Sequence, residues 1–230
     1  MESLWQDLRY GLRLLAKNPG FTAVAILTLA LGIGANTAIF SVVDGVLLRP
    51  LPFKQSQQIV VLYTKDSHAA RNWAPYPDFL DWRQQSKNFD AIAAWVPQSV
   101  NLTGQGEPKR VVGAFVSANF LTMLAVEPAM GRNFRDGEDH PGDHVAMISY
   151  GMWQGMLGGD PNLLGKSIAL NGEPFTVIGI APQNFHFPLS DPQVLIPYSF
   201  YPNFSPQRNQ ASFAAIGRIK NGVSLEQAQA

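Results

Sequence analysis

Six side chains able to ligate a metal, Asp136, Glu138, Asp139, His140, Asp143 and His144, fall within nine residues of this 230-residue chain. Carboxylates and imidazoles at that density suit calcium or zinc, but the spacing fits neither. An EF-hand loop counted from Asp136 needs glycine sixth and glutamate twelfth, where this chain has Pro141 and Met147. His140 and His144 are four apart, as in a helical zinc pair, yet Pro141-Gly142 between them opposes the helix. A solvated acidic loop without a metal is the expectation.

Other chemistry fails similar tests. Asp160-Pro161-Asn162-Leu163-Leu164-Gly165-Lys166-Ser167 approximates a phosphate-binding loop, except that the motif requires glycine where Asp160 stands and a helix where a strand is expected. An acid there would repel phosphate, so no nucleotide cofactor is expected. Asn101-Leu102-Thr103 matches a glycosylation acceptor, a triplet that arises easily by chance. There is no G-x-S-x-G elbow and no cysteine, and the four histidines sit in loop-like surroundings without an evident activated serine. No catalytic residue is expected. A formal net charge of zero, without a basic patch, argues against a nucleic-acid partner.

The elements around these residues read as a mixed α+β domain. Strands are expected at 59–63, 110–116, 145–149, 194–197 and 212–220, with helices at 76–85, 117–124 and 150–157, the last stopped by Gly158-Gly159. Asn171-Gly172 between 167–170 and 174–178 predicts a tight hairpin, since both residues tolerate positive φ. The proline-rich stretch 182–206 reads as surface loops around the strand at 194–197. Ser224 and Gln227 have the spacing of a capping box, so a helix begins just before the last residue, as though the chain were cut in mid-element.

The amino-terminal part differs from all of this. Residues 18–43 carry no charge, and as a helix 21–43 would be about 35 Å long, enough to cross a bilayer's hydrocarbon layer. A cleaved signal peptide is the rival, with Gly32-Ile33-Gly34 as its cleavage site. Against it, twenty residues including Glu2 and Asp7 precede the apolar core, and apolar character resumes at 38–43. Ahead of the run, Leu4, Trp5, Leu8, Leu12 and Leu15 fall on one helical arc with Arg9, Arg13 and Lys17 beside it. That pattern suits a helix lying on the membrane surface, broken from the span by Asn18-Pro19-Gly20. Within the span Ala30, Gly34 and Ala38 align every fourth residue, and Asn36 brings an amide that is costly facing lipid, so a partner helix is implied. Three basic residues before the span against Arg49 and Lys54 after it slightly favour an amino terminus inside the cell. The expected division is a membrane-surface helix at 1–20, a transmembrane helix at 21–48 and an extracytoplasmic mixed α/β domain at 55–230.

Several of these segments resemble MacB-like ABC transporter permeases, and more narrowly the duplicated permeases abundant in acidobacteria. The likeness is carried by Leu4-Trp5-Gln6-Asp7-Leu8-Arg9-Tyr10, Lys17-Asn18-Pro19-Gly20-Phe21-Thr22, residues 29–43 and Leu47-Leu48-Arg49-Pro50-Leu51-Pro52. Further on, Tyr76-Pro77-Asp78-Phe79, Gly131-Arg132, residues 145–151 and Ile168-Ala169-Leu170-Asn171-Gly172 are similar to the family's periplasmic core domain. The resemblance implies a permease subunit of the inner membrane whose first spanning helix leads to a periplasmic domain. Its implied partners are the bilayer, a separate ABC ATPase subunit, and the remaining permease helices or a second permease half. Coupling of cytoplasmic ATP hydrolysis to the outer domain would be mechanical, for export or lipoprotein release. A single-span anchored scaffold that binds a ligand or partner is the alternative.

Overall fold

Asn18 alone separates two helices, α1 at Glu2–Lys17 and α2 at Pro19–Val43, in a computed structural model of the chain. The structure describes residues 2–43, 53–65, 71–104, 106–140, 142–187, 190–202, 204–205, 207–208 and 210–229. The expected break at Asn18-Pro19-Gly20 is narrower than its sequence suggests. Proline has no amide proton to donate, and the first helical position needs none, so Pro19 starts α2 instead of interrupting it. The joint is knitted by hydrogen bonds from Asn18 N to Leu15 O (3.2 Å) and from Thr22 N to Asn18 O (3.0 Å). The Thr22 hydroxyl lies 2.7 Å from Leu15 O as well. Inside α2, Thr28 and Ser41 turn their hydroxyls back onto the carbonyls of Val24 and Thr37, which satisfies them without a partner outside the helix. The last five positions of the expected span, 44–48, lie outside the described residues.

Residues 1–50 and 51–230 form two separate compact units. The second is built on one mixed sheet. In chain order its elements are β1 (Ile59–Leu62), β2 (Ala74–Pro75), α3 (Tyr76–Gln85), β3 (Phe89–Pro97), β4 (Val100–Thr103), β5 (Lys109–Val111), β6 (Gly113–Val116), α4 (Phe120–Met123) and β7 (Met130–Gly131). There follow β8 (Val145–Ile148), α5 (Tyr150–Met156), β9 (Ser167–Leu170), β10 (Glu173–Ile180), β11 (Val194–Pro197), β12 (Ala211–Ile219) and α6 (Leu225–Gln229). The strands lie in the order β1-β12-β3-β6-β11-β8-β10-β9-β4-β5, with β2 beside β12 and β7 beside β10. Pairs β10/β8 and β11/β6 are parallel, and the others antiparallel.

Both faces of the sheet centre are buried. Along β12, Phe213, Ala215 and Ile219 join one apolar cluster while Ala214 and Ile216 join the other. In β3, Ile92, Ala94 and Val96 alternate likewise with Ala93 and Trp95. Such strands show no polar face, so their sequence lacks the alternation that marks a half-exposed strand. That is why the central strand β3 had no sequence signal.

Most expected elements form close to where they were placed, with instructive departures. The strand expected at 110–116 divides at Val112 into β5, which pairs with β4 at the sheet edge, and β6, which pairs with β3 and β11. The helix expected at 117–124 shrinks to Phe120–Met123 because Ser117 serves the sheet, its hydroxyl accepting from Ala94 N and donating to Asn119 Oδ1. The stretch 182–206 is not simply surface loop, since Phe185 and Phe187 are buried against Phe53. The hairpin turns as its dipeptide dictates, with φ of 52° at Asn171 and 87° at Gly172. Ser224 and Gln227 form the reciprocal capping box, Ser224 N donating to Gln227 Oε1 (2.9 Å) and Gln227 N to Ser224 Oγ (3.3 Å).

Candidate functional site

The feature with functional content is α2, because its apolar side chains have nowhere to go. Phe21 is 71% exposed, Leu31 73% and Ile33 65%, and the apolar stretch Pro19–Ser41 is unburied throughout. Each large side chain left in water forgoes roughly 1.5–3 kcal/mol of burial free energy. A run of them calls for an apolar cover, which marks α2 as a candidate membrane span. At 25 residues, α2 is about 37 Å long, against roughly 30 Å of bilayer hydrocarbon.

Ala30, Gly34, Asn36 and Ala38 all lie in this exposed helix. A Cβ added at Gly34 would meet no atom within 4 Å, so the space beside it is open to a neighbour. In α1, Trp5 is 72% and Leu15 41% exposed, while Arg9, Arg13 and Lys17 are also exposed. Leu8 and Leu12 belong to α1, and their side chains lie outside the described residues.

The acidic and histidine-rich segment departs from the expected solvated loop. Glu138 forms a two-pronged pair with Arg132, Nη1 to Oε2 at 2.8 Å and Nη2 to Oε1 at 2.7 Å, and also accepts from Arg135 N. The Arg132 hydrogen bonds hold its carboxyl below the usual carboxylate range. Asp139 is buried, and its Oδ2 accepts from Ala118 N at 3.0 Å, pinning the segment beneath the turn into α4. His144 packs its ring 4.6 Å from Phe200 and 5.3 Å from Phe175. Two of the six candidate ligands are thus structural supports, because a carboxylate that is taken out of water needs donors close by. Asp136 and Asp143 stay exposed. Pro141 lies outside the described residues.

In the segment that approximates a phosphate-binding loop, Asp160 occupies its own lysine, with Oδ2 2.6 Å from Lys166 Nζ. Asp160 Oδ1 accepts from Asn162 N at 2.8 Å, and the segment runs into β9. The lysine that such a motif offers to phosphate here closes a turn. Asn101 lies on β4, where it exchanges hydrogen bonds with Asn171 across the hairpin mouth, donating from N to Asn171 Oδ1 and accepting at O from Asn171 N.

The MacB-like periplasmic core domain family matches residues 22–230 of this chain. A search of the curated proteins finds no match. Among solved structures, the chain is similar to the periplasmic region of MacB from Actinobacillus actinomycetemcomitans at 15% identity and a TM-score of 0.56, over 74% of this chain and 78% of that one. It is similar to the extracellular domain of the noncanonic ABC-type transporter YknZ from Gram-positive bacteria at 13% identity and 0.56, over 74% and 86%. A domain of a putative permease protein from Porphyromonas gingivalis matches at 17% identity and 0.59, over 76% and 80%. At these identities the likeness is one of fold.

Proposed function

The chain belongs to the MacB-like periplasmic core domain family, and from that membership we propose that it is a permease subunit of an ATP-driven ABC exporter or lipoprotein-releasing system. In this reading α2 is the first transmembrane helix, the amino terminus is cytoplasmic, and the sheet domain works outside the inner membrane. ATP is hydrolysed by a partner ABC ATPase subunit and the motion reaches the sheet domain mechanically through helices, with no bond made or broken by this chain. The observation that carries the reading is the family match beginning at residue 22, so that one match takes in the unburied apolar helix together with the sheet domain.

Two groups of side chains have assigned roles here. Ala30, Gly34, Asn36 and Ala38 mediate packing against the remaining permease helices, or a second permease half, within the bilayer, Ala30, Gly34 and Ala38 as one face and Asn36 from the other side of the helix. Trp5, Leu8, Leu12 and Leu15 set α1 into the acyl boundary while Arg9 and Arg13 reach the headgroups. Replacing Leu8 and Leu12 together by glutamate is expected to loosen an α1 peptide from liposomes, and equal binding by the two peptides would remove that role. The whole reading is tested by isolating tagged protein from its native membranes and assaying ATP hydrolysis. Co-isolation of a nucleotide-hydrolysing subunit supports it; recovery as a single species without hydrolysis would overturn it.

A further inference from the structure

Phe53 opens the sheet domain, its buried ring 6.3 Å from those of Phe185 and Phe187. Gln55, at φ 52°, turns the chain into a 3-10 turn at Ser56–Gln58 that runs directly into β1. β1 ends the strand order and its ladder partner is β12. Because the pair is antiparallel with Ile59 opposite Arg218, the start of β1 and the end of β12 lie at the same end of the sheet. A pull on Phe53 directed away from the sheet edge would therefore load the β1–β12 ladder first at Ile59. Whatever ties that mouth decides whether the strand holds.

Arg218 provides the ties. Its Nη1 donates to Lys54 O at 2.9 Å, in the incoming segment, and its Nε to Met123 O at 2.9 Å, at the end of α4. Its Nη2 is buried and has no partner among the described residues, a desolvation cost that the two charge-assisted bonds to carbonyls must offset. Gln58 adds a side-chain bond to Asn221 Oδ1 across the same mouth. Arginine's planar fork presents Nε and Nη1 to carbonyls on two separate segments in a fixed geometry; a lysine, whose donors all sit on one nitrogen, is less suited to bridge them.

We propose that Arg218 is the clasp that fastens residues 53–58 to the central sheet, so that displacement arriving along the chain from α2 is delivered to β12 and α4 together instead of unzipping β1. Its purpose rests on the permease reading, but its existence does not, and the test is chosen accordingly. Amide hydrogen exchange is followed on the full chain in lipid nanodiscs, comparing the wild type with Arg218→Met and Arg218→Lys. Losing both bonds is expected to speed exchange at Gln58 and at the β1 amides that bond to β12 by about ten- to hundredfold, the factor corresponding to ~1.5–3 kcal/mol. The hairpin at 167–180 should exchange as before and serves as the control for folding. Arg218→Lys should fall between the two, and it carries the test alone if Arg218→Met does not fold. Wild-type exchange at 53–62 in a folded variant would overturn the clasp, as would acceleration spread evenly over the hairpin. Either result would leave the permease reading standing, because that reading is judged by ATP hydrolysis.

Discussion

The two units of this chain treat the same side chains in opposite ways. In the sheet domain, Phe79, Phe120 and Phe213 are wholly buried, whereas in α2 Phe21 and Phe40 are 71% and 63% exposed. Phenylalanine has one transfer free energy, so the contrast is between surroundings and not between residues: one unit covers its own rings, and the other leaves them to be covered by an apolar medium or a partner. The comparison breaks most directly at Phe213, whose ring touches those of Tyr76 and Tyr198 at centroid distances of 5.8 and 5.6 Å. Phe213→Ala is expected to cost about 3–5 kcal/mol in denaturant unfolding of the sheet domain. Phe21→Ala, the same truncation in α2, should leave that transition unmoved; an equal loss at both positions would dissolve the distinction.

A charge placed in α2 breaks the comparison from the other side. Leu31→Arg near the middle of the apolar stretch is expected to cost about 3–4 kcal/mol of insertion free energy, read as the inserted fraction in a translocon assay. Thermal unfolding of the sheet domain should not change. Undiminished insertion would count against α2 as a spanning helix.

How far the sequence disclosed each unit follows from the same contrast. An apolar run that no tertiary partner covers announces itself by composition, so α2 could be read from composition alone, with its start moved from Phe21 to Pro19 and the expected positions 44–48 outside the described residues. The hairpin was equally legible, because Asn171-Gly172 supplies positive φ locally. β3 was not, since its Ala91, Ala93 and Ala94 carry little strand preference and its burial on both faces removes the period of two. The acidic segment was read only in part, for a related reason: Asp136, His140, Asp143 and His144 are exposed as expected, but Glu138 and Asp139 are not. Glu138 and Asp139 find their donors on Arg132 and Ala118, and no spacing rule announces a carboxylate that is needed as a brace. Arg218 was missed as well, because its acceptors are backbone carbonyls far away in sequence.

Glycines sharpen the comparison at smaller cost. Gly131 has φ 78°, and a Cβ there would stand 2.3 Å from Ile178 O, where backbone cannot yield easily. Gly131→Ala should destabilise the sheet domain by about 1–3 kcal/mol in thermal unfolding. Gly172→Ala, with φ 87° and no atom within 4 Å, carries the conformational penalty alone and should cost about 1–2 kcal/mol. Similar losses at the two sites would show that crowding at Gly131 is relieved by movement of its neighbours.

The Arg132–Glu138 pair adds a pH dependence that belongs to the sheet domain alone. Glu138 titrates below its unfolded value of about 4.3, so it binds fewer protons folded than unfolded in that range. Its contribution to stability is therefore complete above the unfolded value and is lost as pH falls through the lowered folded value. Glu138→Gln should be less stable than wild type at pH 7, with the gap closing as the medium is acidified below about pH 4. A gap constant from pH 7 to 3 would mean that the ion pair contributes through shape and not charge.

The smallest effect within the isolated chain is expected at Gly34, and its smallness is what makes it informative. Gly34→Leu puts four carbons where nothing stands within 4 Å, so unfolding of the sheet domain should be unchanged and the helix itself, rid of a glycine, should be no weaker. If Ala30, Gly34 and Ala38 are the line along which another helix approaches, those same carbons occupy the space its backbone requires. Co-purification of the remaining permease helices should then fall, by a factor set by the partner and not by this chain. Unchanged co-purification would mean that the small residues of α2 face lipid, and that Asn36 finds its hydrogen bonds elsewhere. A mutation silent in the chain alone and disruptive in the assembly is the sign of a surface shaped for a neighbour.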